Sequence, residues 1–133
     1  MKEAITNLFN SNPAIYNPED RSLYEQFINK LNTGSIRACD CHNGEWEVNQ
    51  WIKMGILIGF RMGKLVQIPW SNSKPFYDKD TIQEKQFNLS DKIRIVPGGS
   101  SARNGCYLAP GVTIMPPAFI NIGAWVDEGT MVD

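Results

Sequence analysis

Hydrophobic and polar residues follow their most regular pattern in the last part of the chain, from Asn104 to Asp133. Five turn-forming residues recur there at intervals of six, and an aliphatic residue follows each of them by three positions. A fixed six-residue period predicts a parallel β-helix, in which each repeat supplies a short strand whose aliphatic side chain enters a shared core. The turn formers are Gly105, Gly111, Pro117, Gly123 and Gly129, and the aliphatic residues are Leu108, Ile114, Ile120, Val126 and Val132.

Upstream of these repeats, apolar residues recur at the spacing of α-helices. Lys2–Phe9 is predicted to form a short helix, and Asn17 to cap a second helix that begins at Pro18 and ends near Gly34. Gln50–Arg61 is predicted to form a third, strongly apolar helix. The residues that define the three apolar stripes are Ile5, Leu8 and Phe9, then Leu23, Phe27, Ile28 and Leu31, and finally Trp51, Ile52, Met54, Ile56, Leu57, Ile58 and Phe60.

Between the second and third helices, Ile36–Val48 is predicted to form a β-hairpin, because Asn43-Gly44 favours a two-residue turn. This turn aligns the residues of the two strands so that one face is apolar and the other polar. We expect the apolar face to be buried over the third helix and the polar face to contact water. The apolar face consists of Cys39, Cys41, Trp46 and Val48, and the polar face of Asp40, His42, Glu45 and Glu47.

The middle of the chain has weaker signals. Gly63–Trp70 is predicted to contain a strand, and Ser71–Asn88 is predicted to be a loop with at most one short element. We place a domain boundary at Pro97, followed by Gly98-Gly99, where the density of charged residues falls. The expected organisation is therefore an α+β domain of helices and a hairpin over residues 1–97, followed by the start of a β-helix over residues 98–133.

Composition excludes several classes of function. The net charge of −1 gives no electrostatic reason to expect nucleic acid or an anionic membrane as a partner. The sequence contains no apolar run of membrane-spanning length and does not begin with a secretory signal. The three cysteines give no indication of an oxidising compartment, so the cytoplasm is the expected location.

A metal site at Cys39, Cys41 and His42 is not expected. The spacing of the two cysteines differs from that of the cysteine pairs in structural zinc sites. In the predicted hairpin His42 also lies on the face opposite to both thiols. We therefore expect no bound metal, two buried thiols and an imidazole on the surface.

Two stretches of the chain resemble a known enzyme family. The run Asn121–Asp133, preceded by Met115-Pro116, and the upstream stretch Ile93–Pro97 resemble the tetrahydrodipicolinate N-succinyltransferases. The resemblance is strongest over residues 94–133 and fainter back to about Gly34. It implies that the repeats are the opening coils of a left-handed parallel β-helix. In that family the helix continues for many more coils, so we expect this chain to be an N-terminal portion that is inactive alone.

The resemblance also implies an activity and its reactants. Family members transfer the succinyl group of succinyl-CoA to the amine of ring-opened tetrahydrodipicolinate, on the route to diaminopimelate and lysine. Succinyl-CoA is then a co-substrate, and no cofactor is expected to bind to this chain by itself. The sites of hexapeptide transferases lie between subunits, which implies a homotrimer.

Two residues of this chain match functional positions of the family. Arg94 matches an arginine that binds substrate, and a guanidinium suits a dicarboxylate because it grips a carboxylate through two hydrogen bonds. Asp133 matches the active-site aspartate, which binds substrate and acts in catalysis. From the residue pattern alone, Arg94 would be a charged strand residue in solvent and Asp133 a solvated surface acid. The coenzyme-binding residues are not predicted.

Succinyl transfer has three alternatives. Another hexapeptide acyltransferase, for instance one that uses acetyl-CoA, would share the repeats. A non-catalytic assembly fragment would use the repeats only for association, through the open edge of the last coil. A metal-dependent enzyme of the γ-carbonic anhydrase type is rejected, because it needs several histidines on the coils and the one histidine, His42, lies outside them.

Overall fold

The structure, a computed structural model, describes residues 1–69 and 75–133, and within those ranges it contains three α-helices and a series of short strands. The helices are α1 (Lys2–Ser11), α2 (Pro18–Asn32) and α3 (Gln50–Met62). The strands are β1 (Cys39–His42), β2 (Glu45–Val48), β3 (Leu65–Ile68), β4 (Phe76–Lys79), β5 (Arg94–Ile95), β6 (Ser101–Ala102), β7 (Tyr107–Leu108), β8 (Thr113–Ile114), β9 (Phe119–Ile120), β10 (Trp125–Val126) and β11 (Met131–Val132).

The three predicted helices are confirmed, and α2 begins as its sequence indicates. The side chain of Asn17 accepts a hydrogen bond from the backbone N–H of Asp20 at 2.8 Å. The Asp20 carboxylate accepts one from the N–H of Asn17 at 2.9 Å. This capping box satisfies two N–H groups that the first turn of a helix leaves free. Beyond the end of α2, Gly34 adopts a left-handed backbone conformation.

Helix α3 packs closely against α2 because it presents two glycines to two aromatic rings. A Cβ atom on Gly55 would lie 2.4 Å from Cζ of Phe27, and one on Gly59 would lie 2.1 Å from the hydroxyl oxygen of Tyr24. Phe27 is fully buried, and Tyr24 is almost so. The apolar face of α3 is thus occupied by the other helices, with Ile52 and Ile58 in the same core.

The β1–β2 hairpin has the predicted register but not the predicted burial. Cys41 lies opposite Trp46 and Cys39 opposite Val48, as the Asn43-Gly44 turn requires. The expectation that these four side chains are buried over α3 is wrong, because Trp46 is 64% exposed, Val48 is 59% exposed, and Cys41 is exposed. The reason is that α3 packs on α1 and α2 instead of beneath the hairpin.

The three cysteine thiols differ in solvent exposure and should therefore differ in reactivity. Cys41 is exposed and Cys39 half-buried, whereas Cys106 is fully buried and burial raises the pKa of its thiol. Because the thiolate is the reactive form, we expect iodoacetamide to label Cys39 and Cys41 in the folded protein and Cys106 only after unfolding. Peptide mass spectrometry after timed labelling checks this, and early labelling of Cys106 would contradict its burial.

The predicted strand after α3 is confirmed as β3. The end of the prediction, at Trp70, lies outside the described residues. β3 pairs antiparallel with β4, the one short element that the sequence allowed within Ser71–Asn88. Beside this pair, the Asp78 carboxylate accepts a hydrogen bond at 2.6 Å from Arg103. The β3–β4 hairpin is thereby connected to the repeat region.

The six-residue pattern gives five two-residue strands, β7 to β11, each of which ends at the aliphatic residue of its repeat. Strands 18 residues apart pair in parallel, with Trp125 opposite Tyr107 and Met131 opposite Thr113. The glycines of the repeats all have positive φ, between 70° and 87°, a conformation that favours glycine. Leu108, Ile114 and Ile120 are buried in a second apolar core.

The first parallel pair departs from this spacing by one residue. Arg94 lies opposite Thr113, which is 19 positions later, whereas Ser101 lies opposite Phe119 at the regular separation. The additional residue therefore falls between Ile95 and Ser101, where two consecutive glycines, Gly98 and Gly99, both have positive φ.

Lys85 joins α2 to the repeats. Its ammonium group donates to the side-chain oxygen of Asn32 at 2.9 Å and to the carbonyl of Cys106 at 2.7 Å. We expect Lys85→Met to lower the free energy of unfolding by about 1–3 kcal/mol, because it removes the ammonium donor from the partly buried carbonyl of Cys106 and leaves the Asn32 oxygen with the N–H of Gly105. Urea denaturation measures the change, with Lys30→Met, on the exposed side of α2, as the control. Equal stabilities of the two variants would show that Lys85 does not join the segments.

Candidate active site

Arg94 and Asp133 lie on the same outward face of a three-stranded parallel sheet. The order of the strands is β5–β8–β11, and Arg94, Thr113 and Met131 lie opposite one another across it. Asp133 follows Met131 by two positions and so shares its side of the sheet. Ile114, between Thr113 and Met115, points the other way into the core. Standard strand spacings place the Cα atoms of Arg94 and Asp133 about 12 Å apart.

The backbone of Arg94 is fixed and its guanidinium is free to bind. Its N–H donates to the carbonyl of Val112 at 2.9 Å. The side chain is exposed and forms no ion pair within the described residues. It borders an open cleft of about 480 Å³ that also includes Lys92, Phe87 and Ile95. A free guanidinium beside a second cation can bind an anionic group by two parallel hydrogen bonds.

Asp133 is exposed and its carboxylate likewise has no partner within the described residues. The preceding residue is held in place, because the carbonyl of Val132 accepts a hydrogen bond from the N–H of Met115 at 2.8 Å. Asp127, one repeat earlier, differs because its carboxylate accepts a hydrogen bond from the N–H of Glu128 and so shapes a turn. Unlike Asp127, Asp133 thus has an exposed carboxylate that is not used in a turn among the described residues.

The sequence interpretation missed a different polar residue, Arg37. It lies in the loop after α2, with its guanidinium carbon 4.0 Å from the ring centre of Trp125 and 5.2 Å from that of Trp46. The expected Trp46 face of the hairpin is therefore in contact with a cation rather than with α3. No sequence signal indicates this contact, since Arg37 and Trp125 are distant in the chain.

Within residues 1–69 and 75–133 the structure shows no group of three or more metal-binding side chains. His42 is exposed on the hairpin, as predicted. In the same ranges, no helix is long and apolar enough to cross a membrane.

The chain is similar in sequence to known proteins. Residues 1–62 match the family model described as tetrahydrodipicolinate N-succinyltransferase N-terminal. A protein of Methylorubrum extorquens (strain PA1), named 2,3,4,5-tetrahydropyridine-2,6-dicarboxylate N-succinyltransferase, is 39% identical over 119 residues, which cover 85% of this chain and 41% of the relative. The chain belongs to the tetrahydrodipicolinate N-succinyltransferase family. The match to residues 1–62 extends the resemblance beyond Gly34 to the start of the chain.

A second relative shows how much of a family member this chain represents. The Acinetobacter baylyi protein (strain ATCC 33305 / BD413 / ADP1) carries the same name and is 36% identical over 138 aligned positions, which include all of this chain and 49% of the relative. The chain therefore spans about half or less of the length of these curated relatives. Arg94 and Asp133 both fall within the part that it shares with the Acinetobacter relative.

Proposed function

We propose that this chain forms the N-terminal part of an N-succinyltransferase that acylates the amine of ring-opened tetrahydrodipicolinate in diaminopimelate and lysine biosynthesis. The observation that supports it is the shared face of Arg94 and Asp133, a free cation and a free acid. The names of the relatives give the class of reaction, N-succinyl transfer to tetrahydropyridine-2,6-dicarboxylate, and the proposed donor of the succinyl group is succinyl-CoA.

In the proposed reaction, Arg94 binds one carboxylate of the substrate and Asp133 receives a proton. The amine nitrogen forms a bond to the succinyl carbonyl carbon, the carbon–sulfur bond breaks, and coenzyme A leaves as a thiolate that takes up the proton released by the amine and becomes the thiol. The amine must lose a proton for this to occur, and a carboxylate beside it can accept that proton. Cys106 is fully buried among core residues and has no part in the transfer.

We further propose that residues 98–133 begin a left-handed parallel β-helix that follows an α+β domain at residues 1–97. The regular separation of 18 residues in the parallel pairs supports coils of three strands each. A homotrimer in the cytoplasm is the corresponding assembly and location. The open edges of the last strands would carry the next coil in a longer protein.

A chimera tests this function. Residues 1–133 are joined to the remaining half of the Acinetobacter baylyi relative, and thiol release from succinyl-CoA is measured with tetrahydrodipicolinate. We expect turnover by the chimera and none by the 133-residue chain alone. Turnover with acetyl-CoA instead would favour a different acyltransferase. A correctly folded chimera that is inactive with both donors would favour the assembly fragment.

Within the active chimera, we expect Arg94→Ala to raise the KM for the dicarboxylate about 10- to 100-fold and to change kcat little. Its charge-assisted hydrogen bonds stabilise the bound substrate and the transition state alike. Arg21→Ala, which removes an exposed arginine on α2, is the control. An unchanged KM in the Arg94 variant would remove this residue from the substrate site.

A further inference from the structure

Arg94 and Asp133 lie on the two outer strands of the β5–β8–β11 sheet, and the central strand β8 separates them. Arg94 lies opposite Thr113 on β8. The pairing of β8 with β11, continued by one position, places Met115 beside Asp133. The N–H of Met115 donates to the carbonyl of Val132 at 2.8 Å and so holds these two strands in register. A molecule that reaches from Arg94 to Asp133 must therefore cross β8 beside Met115.

The outward side of β8 carries one short side chain and one long apolar side chain. Thr113 and Met115 are two positions apart, so they lie on the same side of the strand, and both are half-buried. Ile114, between them, is 1% exposed and belongs to the core. The thioether of Met115 is flexible and apolar, and it can adapt its shape to a chain that it contacts. The path from Arg94 to Asp133 thus has opposite charges at its ends and an apolar contact near its middle.

This arrangement matches the acceptor of the proposed reaction, and the inference rests on that proposed function. Ring-opened tetrahydrodipicolinate is a heptanedioate that carries an amine beside one carboxylate, and methylene groups separate the amine from the distant carboxylate. With one hydrogen bond at each end, an extended chain of this length spans about 13 Å. The Cα atoms of Arg94 and Asp133 are about 12 Å apart. Because both side chains leave the same face of the sheet, their charged groups can keep a similar separation.

We propose that Met115 determines the chain length of the acceptor. The distant carboxylate of the acceptor binds to Arg94, its amine lies at Asp133, and its methylene chain lies across the thioether of Met115. This contact removes apolar surface from water, so a diacid long enough to reach both charged groups is favoured over a shorter one. Met115 contacts the unreactive part of the acceptor and therefore affects its binding and not the transfer of the proton.

Methionine methyl resonances test this contact in the 133-residue chain without any need for turnover. The methyl groups are labelled with ¹³C, and Met115→Leu identifies the Met115 signal. We expect L-2-aminoheptanedioate to shift this signal saturably. L-glutamate carries the same charged groups on a shorter chain, and we expect it to bind about tenfold more weakly, because two methylene contacts are lost. The signal of Met62, which is buried in the first core, is the internal control. A Met115 signal that does not move, or that responds equally to both acids, would overturn the proposal.

Kinetics in the active chimera separate this role from a structural one. Met115→Gln keeps the length of the side chain but makes it polar, and we expect it to raise the KM for tetrahydrodipicolinate about five- to tenfold with little change in kcat. Met115→Leu remains apolar and should keep a nearly normal KM. An unchanged KM in Met115→Gln, or an equal loss of kcat in both variants, would reject the role of Met115 and leave the proposed transfer reaction standing. A chimera without turnover would instead reject that reaction, and the methyl signals would still decide whether the acceptor lies across Met115.

Discussion

Asp133→Asn is expected to lower kcat about 10²- to 10⁴-fold in the active chimera, which is the range for removal of a general base. The amide has nearly the shape of the carboxylate but cannot accept the proton of the attacking amine. Asp133 is exposed and unpaired, so the substitution should leave folding intact. The reaction is followed by thiol release under saturating succinyl-CoA and tetrahydrodipicolinate.

The control for this variant is Asp127→Asn, one repeat earlier. Asp127 occupies the equivalent position after an inward-pointing residue, but its carboxylate is used within a turn. We expect a small loss of stability and nearly normal turnover from that change. Turnover close to that of the unsubstituted chimera in Asp133→Asn would show that another group accepts the proton.

Phe27→Ala is expected to lower the free energy of unfolding by about 3–5 kcal/mol, as is typical when a buried aromatic side chain is removed. The ring of Phe27 is fully buried, fills the space over Gly55 and contacts Trp51 edge-on, with ring centres 6.0 Å apart. Truncation leaves a cavity that the rigid helices cannot close. Urea denaturation of the 133-residue chain measures the loss, and Leu89→Ala, at a residue that is 99% exposed, is the control.

The pair Phe27 and Gly55 also allows a double-mutant cycle. Gly55→Ala alone should cost about 1–3 kcal/mol, because the added methyl group collides with the ring. In the background Phe27→Leu, which has a smaller side chain, the same change should cost less. Additive effects would mean that the ring and the glycine do not determine the distance between α2 and α3.

Local periodicity made the helices and the repeats predictable. The positions of Leu108, Ile114 and Ile120 inside the second core follow from a six-residue rule that needs only neighbouring repeats. The hairpin register follows likewise from Asn43-Gly44, a purely local signal. In both cases the residues that specify the geometry lie within a few positions of each other.

Burial and long-range contacts were less predictable. The apolar face of α3 was correctly recognised, but the sequence did not show that α1 and α2 cover it in place of the hairpin. Trp46 is consequently exposed, and its contact is Arg37. The position of Arg94 opposite Thr113 depends on one additional residue in a glycine-rich loop, and the six-residue pattern does not predict that residue. The roles of Arg94 and Asp133 came from resemblance, because both are ordinary charged residues in the local pattern.

The nearly constant separation of the parallel strands, 18 or 19 residues, has a consequence for how this part of the chain becomes ordered. Every parallel pairing closes a loop of nearly the same modest length, so each pairing costs about the same conformational entropy, and order can spread from one pair of strands to the next. The helical core supports the start of this process, since Gly34 contacts Tyr107 and Ile28 reaches Gly105. Among the described residues β11 is an edge strand that pairs with β8, and Met131 is 61% exposed. Backbone amides should therefore exchange with solvent fastest at β11 and progressively more slowly toward α2.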